Sequence, residues 1–411
     1  MKNYLKVIYF LFFTINTYSQ WIESPLPKTV DVWGLANKDT VIFAGTEIGS
    51  QQPGYVFRSV DFGTSWDILT SLPFAGGWSF AFSDSILVAG SFGWGIYLSS
   101  DLGSTWAISD SGIASDENVH VVLKHKSYVF AATADSGNGI LRSSDNGYSW
   151  IEVNTGLPQF SSFISLASNG EDIYTTSIGE VFRSTDDGMN WFSISNGLQN
   201  VSILSLATQG SKVYAGTFGS GVYFSNDRGE NWTNISGGVP PLEIWSLVLA
   251  DTSLFVATNG SGVYLTQDDG VSWTWVSEGL TTLYVRSLLV TTNNYLFAGT
   301  ANGLVCKRPL YEMITSVRKQ INSLSKYSLS QNYPNPFNPN TTIRYSLPQS
   351  SNVVIKIFDV LGNEIETIVN EEKPVGTYEI TYYAENLPSG VYFYQLKAGD
   401  YIETKKMILM K

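Results

Sequence analysis

Residues 59–66 read Ser-Val-Asp-Phe-Gly-Thr-Ser-Trp, and this stretch decides the fold because the chain repeats its pattern five more times. Each copy has the form Ser/Thr-x-Asp-x-Gly-x-x-Trp, with a period of about 41 residues, which is typical of propeller blades built from short strands. The Ser and Asp side chains can bond backbone N–H groups within a turn, and the Gly can adopt a positive φ. Each box therefore predicts a tight β-hairpin whose Trp starts the next strand. The boxes are Ser59–Trp66, Ser99–Trp106, Ser143–Trp150, Ser184–Trp191, Ser225–Trp232 and Thr266–Trp273.

A second feature with the same period is a strand that ends in small residues, and it occurs seven times. The strand thus occurs once more than the box does. Ring closure explains the difference, because Trp21 resembles the Trp at the end of a box although no box precedes it. Residues 21–25 would then be the outer strand of a last blade whose inner strands come from 282–308. The sequence thus predicts an all-β, seven-bladed propeller without free sheet edges. The small-residue patches are Ala44–Thr46, Ala89–Ser91, Ala131–Thr133, Tyr174–Thr176, Ala215–Thr217, Val256–Thr258 and Ala298–Thr300.

Composition excludes several classes of protein. Of the 411 residues 14% are aromatic and only 15% are charged, which favours half-buried strands over disorder. A net charge of −12 with no basic block argues against nucleic-acid binding. The only cysteine is Cys306 and there are two histidines, so neither an internal disulfide nor a Cys/His zinc site is expected. We predict no metal and no cofactor.

The N-terminus has the pattern of a secretory signal peptide. Lys2 and Lys6 precede the apolar run Val7–Phe13, and Thr17-Tyr18-Ser19 offers small residues at a cleavage site. We predict that residues 1–19 are removed and that Gln20 starts the mature chain. An uncleaved anchor is the alternative, but the apolar run is shorter than the roughly 20 residues that a span requires. No membrane span is expected after removal of the signal.

The boxes resemble the Asp-box (BNR) repeats of sialidases, sortilin-type receptors, xyloglucanases and photosystem II assembly-factor-like propellers. The resemblance covers the propeller region, which we assign to residues 20–308. In these families the box lies at the blade periphery, away from the ligand, so the resemblance implies a structural role for the box aspartates and does not identify the function. These residues are Asp61, Asp101, Asp145, Asp186, Asp227 and Asp268.

A catalytic set is not evident in the sequence. The sialidase resemblance would require an arginine cluster facing the axis, whereas only Arg286 lies on a predicted inner strand, and Arg58, Arg142 and Arg183 each lie directly before a box. We therefore predict no catalytic residues. A pair of carboxylates could still perform acid/base chemistry on a sugar, and Asp31, Glu117 and Glu243 lie just before inner strands. The alternative is that these three are solvated loop carboxylates.

When the seven predicted inner strands are aligned, one position (a column of the alignment) holds chemically different residues in different blades. The positions next to it hold small or apolar residues in every blade. The varied column holds Ile164 and Leu204 in two blades and larger or polar groups in the other five. If these five faced the axial mouth they would form an aromatic, weakly cationic surface suited to a glycan or a protein ligand. The competing interpretation is packing between blades. The five candidate ligand-binding residues are Trp33, Trp78, His120, Trp245 and Arg286.

The repeat stops after residue 308, and residues 309–327 are polar and predict a linker. Residues 328–411 show alternating strands separated by turns, a pattern typical of a small Ig-like sandwich. This segment resembles the type A sorting domain of the bacterial type IX secretion system, and an ordinary adhesive Ig-like module is the alternative. The resemblance implies that the secretion machinery is a partner and that a Gram-negative bacterium exports the chain through its periplasm. It rests on Asn332–Pro339, Ile357–Gly362, Ser389–Tyr394 and the basic end Lys405–Met407.

Taken together, the sequence predicts a secreted or surface-displayed, non-catalytic propeller that binds a ligand or acts as a scaffold. The sorting domain would serve as its export signal. A glycoside hydrolase acting on an extracellular polysaccharide is the alternative function. A third possibility, by resemblance to the photosystem-type propellers, is a factor that assembles protein partners.

Overall fold

Short β-branched and aromatic segments form antiparallel strands throughout the described chain, and the predicted all-β class is confirmed. The computed structural model describes residues 20–47, 54–69, 77–91, 93–109, 111–113, 117–134, 138–159, 161–177, 179–198, 201–314, 327–373 and 376–411. The predicted signal peptide, residues 1–19, lies outside this range. The chain divides into two compact units between residues 312 and 313.

The described residues of the first unit form seven four-stranded sheets, which we number as blades in chain order. The first strand of the chain is β1 (Ile22–Pro25), and each blade otherwise runs from its inner to its outer strand. Blades 1 to 3 are β2 to β5 (Asp31–Lys38, Val41–Glu47, Val56–Ser59, Asp67–Ile68), β6 to β9 (Gly77–Ser83, Ile86–Ser91, Ile96–Ser99, Ala107–Ser109) and β10 to β13 (Val119–His125, Tyr128–Thr133, Ile140–Ser143, Ile151–Glu152).

Blades 4 to 6 follow the same order. They are β14 to β17 (Ser165–Ser168, Ile173–Ser177, Glu180–Ser184, Phe192–Ser193), β18 to β21 (Ile203–Gln209, Lys212–Thr217, Val222–Ser225, Thr233–Asn234) and β22 to β25 (Ile244–Ala250, Ser253–Thr258, Gly262–Thr266, Thr274–Trp275). Blade 7 contains β26 to β28 (Val285–Val290, Tyr295–Thr300, Leu304–Pro309) and takes β1 as its fourth strand.

The seven inner strands form a closed ring. Each of β2, β6, β10, β14, β18, β22 and β26 packs against the next, and β26 packs against β2. The inner strands therefore surround a common axis, as in a propeller.

The ring is closed by the N-terminal strand, as the unmatched Trp21 indicates. Strand β1 pairs antiparallel with β28, with Ile22 opposite Lys307. The Trp21 indole N–H donates to the carbonyl oxygen of Val276 at 2.8 Å. The box Trp191 makes the same kind of bond to Val153 of the preceding blade at 2.8 Å. Trp21 thus occupies in blade 7 the place that a box Trp occupies elsewhere.

The small-residue patches lie where the next blade packs. A Cβ added to Gly216 would be 2.4 Å from the Ser205 Oγ and 2.6 Å from a methyl group of Ile244. The Ser205 hydroxyl itself donates to the carbonyl oxygen of Ile244 at 2.8 Å. Larger residues would separate the blades and break such bonds, which explains why the patch recurs with the period of the repeat.

The two ends of each blade are distinct. In blade 1, Gly45 pairs with Gly34 near the start of the inner strand, while Ile42 pairs with Ser59 of the Asp box near the β2–β3 turn. We call the end where the inner strands begin the mouth. The Asp boxes therefore lie at the opposite end of the propeller.

The second unit is made of two sheets that share one core. One sheet has the order β29 (Ser328–Leu329), β30 (Asn340–Leu347), β33 (Gly376–Tyr383). The other has the order β32 (Glu364–Lys373), β31 (Ser351–Phe358), β34 (Gly390–Ala398), β35 (Tyr401–Leu409). Their inward-facing residues alternate along each strand and pack in a single cluster that includes Phe337, Tyr345, Ile355, Tyr394 and Met407.

The proline-rich segment 332–339 covers one edge of this second unit. The Phe337 N–H donates to the carbonyl oxygen of Ile408 at 3.0 Å, and the N–H of Met410 donates to that of Phe337 at 3.0 Å. The Asn335 Oδ1 accepts the Ile408 N–H at 2.9 Å. The segment therefore satisfies backbone groups of β35 that an open edge would leave exposed.

The start of the predicted linker differs from the expectation. Residues 310–314 form a short helix directly after β28, and the Leu310 N–H donates to the carbonyl oxygen of Asn294 at 2.9 Å. Leu310 is buried. The first residues after 308 are therefore tied to blade 7, because an apolar residue is available to pack there.

Candidate functional site

The varied column of the inner strands is a column of β-bulges. The antiparallel register shifts by one residue at each of these positions in six blades, and in blade 4 Ile164 lies just before β14. A bulge removes a residue from the hydrogen-bonded pairing of the two strands and changes the direction of its side chain. The bulged position is therefore free of the packing that keeps neighbouring positions small or apolar. The bulged residues are Trp33, Trp78, His120, Leu204, Trp245 and Arg286.

Three of these side chains meet inside the ring. The rings of Trp33 and Trp245 are edge-to-face, with centroids 5.1 Å apart and planes at 88°. The guanidinium carbon of Arg286 lies 4.9 Å from the Trp33 ring and 5.7 Å from the Trp245 ring. Trp33 is in blade 1, Arg286 in blade 7 and Trp245 in blade 6, so the contact joins three consecutive blades of the ring. We call these three residues the mouth cluster.

A polar network fixes the guanidinium of the mouth cluster. The Arg286 Nε donates to the Asp31 Oδ2 at 3.2 Å, and its Nη1 donates to the Asn259 Oδ1 at 2.8 Å. The Asn259 Nδ2 in turn donates to the Glu243 Oε2 at 2.8 Å. The Arg286 side chain is only 15% exposed, so these bonds act in a partly desolvated setting. The network holds the Arg286 guanidinium against both tryptophan rings.

The Trp245 indole nitrogen is buried and has no hydrogen-bond partner among the described residues. Leaving such a donor unsatisfied is costly, and the great majority of buried side-chain donors in folded proteins are paired. This N–H belongs to a ring of the mouth cluster. It is therefore a donor that the described protein groups leave unsatisfied within this cluster.

The structure does not bring all five predicted residues together. His120 is half-buried at the equivalent bulge of blade 3. The backbone of Trp78 forms the bulge of blade 2, but its side chain lies outside the described residues. The mouth cluster thus joins residues of blades 6, 7 and 1, with His120 and Trp78 on the neighbouring blades 3 and 2.

Sequence reasoning missed three aromatic residues at the same end of the propeller. Trp94, Phe218 and Tyr284 are each roughly half exposed. Phe218 forms a β-bridge with Glu243, and Tyr284 forms one with Asn259, so both border the polar network. Trp94 follows β7, whose last residue pairs with the first residue of β6 at the mouth. Their position directly beside small-residue patches or bulges was the available signal. We call these three residues the aromatic rim.

The three candidate carboxylates are all engaged by protein groups. Asp31 pairs with Arg286, and Glu243 accepts from Asn259. Glu117 is buried and its Oε1 accepts the N–H of Asn138 at 2.8 Å. Each carboxylate therefore positions neighbouring protein groups.

A buried histidine joins two blades at the opposite end. The His125 Nδ1 lies 2.6 Å from the Ser168 Oγ, and its Nε2 lies 3.1 Å from the Asp187 Oδ1. The Ser168 Oγ also accepts the Gly170 N–H at 3.0 Å. The Asp187 carboxylate forms an ion pair with Lys126 as well. Burial lowers the pKa of His125, which favours the neutral imidazole. This network links blades 3 and 4.

The carboxylates of the Asp boxes are saturated within their own hairpins. In every box the Ser or Thr hydroxyl donates to the Asp Oδ1 at 2.7–2.9 Å. The residue four positions later donates its backbone N–H to Oδ1 at 2.8–3.0 Å. The side chain of that residue donates to Oδ2 at 2.6–2.8 Å. Both oxygens thus stabilise the turn. No cluster of three or more His, Cys, Asp or Glu side chains in the described part of the chain is arranged to hold a metal ion.

These bonds make the box hairpins sensitive to acid. The Thr105 hydroxyl and N–H lower the pKa of Asp101 from 3.8 to about 2, and Asn231 with Ser225 does the same for Asp227. A lowered folded-state pKa adds stability above the ordinary value that is lost as pH falls through the folded value. We expect urea midpoints to drop between pH 4 and pH 2, and to drop less in a variant that carries both Asp101→Asn and Asp227→Asn. Equal drops in the variant and the parent chain would contradict this account.

Two segments of the chain match known families. Residues 331–410 match the family described as secretion system C-terminal sorting domain, and residues 107–242 match the DUF6242 beta propeller domain. The tail is a type IX sorting domain. The predicted sorting domain is thereby confirmed, and the propeller region has the fold class that the boxes predict. No sequence among the curated proteins matches the chain.

Solved structures with the same fold are distant in sequence. YCF48 bound to D1 peptide is 14% identical, with a TM-score of 0.57, over 71% of this chain and 96% of that one. The extracellular domain of a hybrid two-component system from B. thetaiotaomicron is 14% identical, with a TM-score of 0.61, over 93% of this chain and 56% of that one.

A third similar structure is PorZ, a bacterial surface component of the type-IX secretion system of Porphyromonas gingivalis. It is 15% identical, with a TM-score of 0.51, over 93% of this chain and 59% of that one. The sorting domain together with the propeller fold supports a propeller protein that the type IX system exports to the cell surface or secretes. In the described residues no helix is long and apolar enough to cross a membrane.

Proposed function

We propose that this exported propeller is a non-catalytic binding protein whose ligand contacts the mouth. The observation that carries the proposal is the mouth cluster, where the Arg286 guanidinium lies against Trp33 and Trp245 and the buried Trp245 N–H has no partner among the described residues. The aromatic rim adds three exposed rings at the same end. Large rings next to a few fixed polar groups are typical of ligand sites. Trp78 and His120 are the further candidate contacts on neighbouring blades.

The charges of the mouth argue against an anionic ligand, because Asp31 and Glu243 outnumber the one arginine of the network. Arg286 is paired with Asp31, and Glu243 is engaged by Asn259, so no cation stands unpaired within this network. Exposed rings stack on the apolar faces of sugars and on apolar peptide side chains, and amides bond their polar groups. YCF48, which has the same fold, was solved with a bound peptide. We therefore propose a glycan or peptide segment as the ligand.

The route to the surface is the second part of the proposal. Residues 1–19 would direct the chain into the periplasm and be removed, and the sorting domain would then carry it across the outer membrane. Stability outside the cell would come from core burial, since Cys306 is the only cysteine and is buried. The Asp boxes would serve as structural elements of the blades.

The ligand proposal is tested with alanine variants of the mouth cluster. Trp245→Ala and Arg286→Ala are expected to weaken capture on glycan and peptide arrays by about tenfold or more, as truncation of a hot-spot residue does. Trp275→Ala is the control, because Trp275 lies on the outer strand of the same blade, away from the mouth cluster, and is 47% exposed. Variants that lose only thermal stability and keep capture would overturn the proposal and leave the cluster with a packing role.

The alternative function, a glycoside hydrolase, requires two carboxylates free to act as acid and base. The same purified chain is therefore assayed for reducing sugars on extracellular polysaccharides. Release of sugar that is lost in Glu243→Gln or Asp31→Asn would favour the hydrolase over the binding protein.

A further inference from the structure

The exposed large apolar side chains of the sorting domain gather at one end of its sandwich. Among its described residues seven such side chains are exposed, and Tyr333 and Leu361 are 81% and 83% exposed. Only Ile402 lies elsewhere. Scattered single apolar residues are normal on a surface, but a collection at one place marks an interaction site. We call the collection the apolar tip: Tyr333, Val360, Leu361, Ile365, Tyr383 and Met410.

The strand register places these residues together. Phe358 pairs with Glu364 on one side and with Phe393 on the other, so the loop 359–363 lies at the end where β34 begins. Gly390 pairs with Leu409, which brings the chain after β35 to that same end. Phe337 bridges Leu409, and β30 starts three residues after Phe337.

The other sheet adds its two tyrosines to the tip. Tyr383 pairs with Asn340, the first residue of β30, and Tyr333 bridges Thr342. Ile402, by contrast, pairs with Lys397 at the far end of β34 and β35. The chain therefore brings six apolar residues from five separate segments to one end.

Val360 and Leu361 of the tip are held on an ordered loop. The Asp359 Oδ1 accepts the N–H groups of Leu361 and Asn363, both at 2.8 Å, and its Oδ2 accepts the Asn363 Nδ2 at 2.9 Å. Val360 and Leu361 are thus presented by a loop whose backbone is already ordered. Pre-ordering of a contact loop lowers the entropic cost of binding.

Lys356, Glu364, Lys411 and Asp359, which lie at the tip, have partners within the domain. Lys356 pairs with Glu364 at 2.7 Å, and the Lys411 Nζ donates to the carbonyl oxygen of Glu385 at 2.5 Å. The Asp359 oxygens are occupied by the loop. The complement of this tip is therefore an apolar surface. A lipid surface is the poorer complement, because the chain carries a net charge of −12 and membranes are usually anionic.

We infer that the apolar tip is the surface through which the sorting domain docks onto an apolar protein surface of the type IX export machinery. The inference rests on the export role of the tail. Docking buries Leu361 and Val360 at the centre of the contact, where truncated or charged side chains are most damaging.

The test uses the full-length chain in a bacterium with a type IX system. The double variant Val360→Asp/Leu361→Asp is expected to disappear from the medium and cell surface and to accumulate inside the cell. Ile402→Asp is the control, since it places a carboxylate on an exposed apolar position at the opposite end of the domain. Thermal melting of the purified chains checks that both variants fold. Deletion of 328–411 is run beside them.

The outcomes separate the docking surface from the export role. Normal export of the double variant beside failed export of the deletion overturns the docking surface alone. Equal failure of the Ile402→Asp variant overturns it too. Normal export of the deletion overturns the export role itself. The last experiment is flotation of the purified chains with phosphatidylethanolamine–phosphatidylglycerol vesicles. If the parent chain binds the vesicles and the double variant does not, the tip binds a membrane and the inference is overturned.

Discussion

Replacing Trp21 with alanine is expected to cost about 3–5 kcal/mol, as truncation of a buried Trp typically does. The Trp21 ring is buried and its N–H is bonded to Val276, 255 residues away in the chain. Strand β1 is the only link in the described pairing that joins the N-terminus to blade 7. The substitution therefore removes core contacts and loosens the closure of the ring at the same time.

The measurement is thermal unfolding of the mature chain, for which we expect the Tm of the propeller to fall by roughly 5–15 °C. Ile22→Ala provides the control, because Ile22 is the next residue and its side chain is largely exposed. It should leave the Tm nearly unchanged. A Trp21→Ala protein that melts with the parent chain would show that β1 does not hold the ring closed.

Deletion of residues 328–411 is expected to abolish export. The tail matches a sorting domain over residues 331–410, and it is a compact unit with its own core. The shortened chain should therefore still fold as a propeller but should remain inside the cell. Immunoblots of the medium, the surface and the cell fractions measure the change, and circular dichroism of the purified propeller checks its folding.

A gain-of-function arm completes that experiment. Fusion of residues 328–411 to an unrelated periplasmic protein should send that protein to the surface or the medium. A fusion with Phe337→Ala is the control, because Phe337 is buried and anchors the proline-rich segment against β35. Loss of that anchor should reduce export through loss of the fold. Unchanged export of the deleted chain would refute a sorting role for the tail.

Much of the fold could be predicted because its signals are local. The box hairpins are closed by Ser59, Asp61 and their equivalents through bonds that span at most four residues, so the pattern is complete within each box. Ring closure could be predicted as well, since Trp21 repeats a box Trp without a box. The sorting domain was recognisable from contiguous motifs.

The site was predictable only in part. The column with Trp33, Trp245 and Arg286 stood out because its residue types vary where neighbouring columns do not. Two exposed aromatics of the rim, Phe218 and Tyr284, show no repeat and no motif, and they matter only because they border the mouth. The sequence repeat reveals the residues that all blades have in common, whereas the candidate site consists of residues that differ from blade to blade.

By itself, then, the sequence determined the repeat, the all-β class, the turn chemistry of the boxes and the sorting tail. Each of these depends on residues close together in the chain, for which spacing carries the physical information. Only the tertiary structure decided that the varied column is a column of bulges and that Arg286 of blade 7 contacts tryptophans of blades 1 and 6. Such contacts depend on the closed ring, which brings residues more than 200 positions apart to one axis.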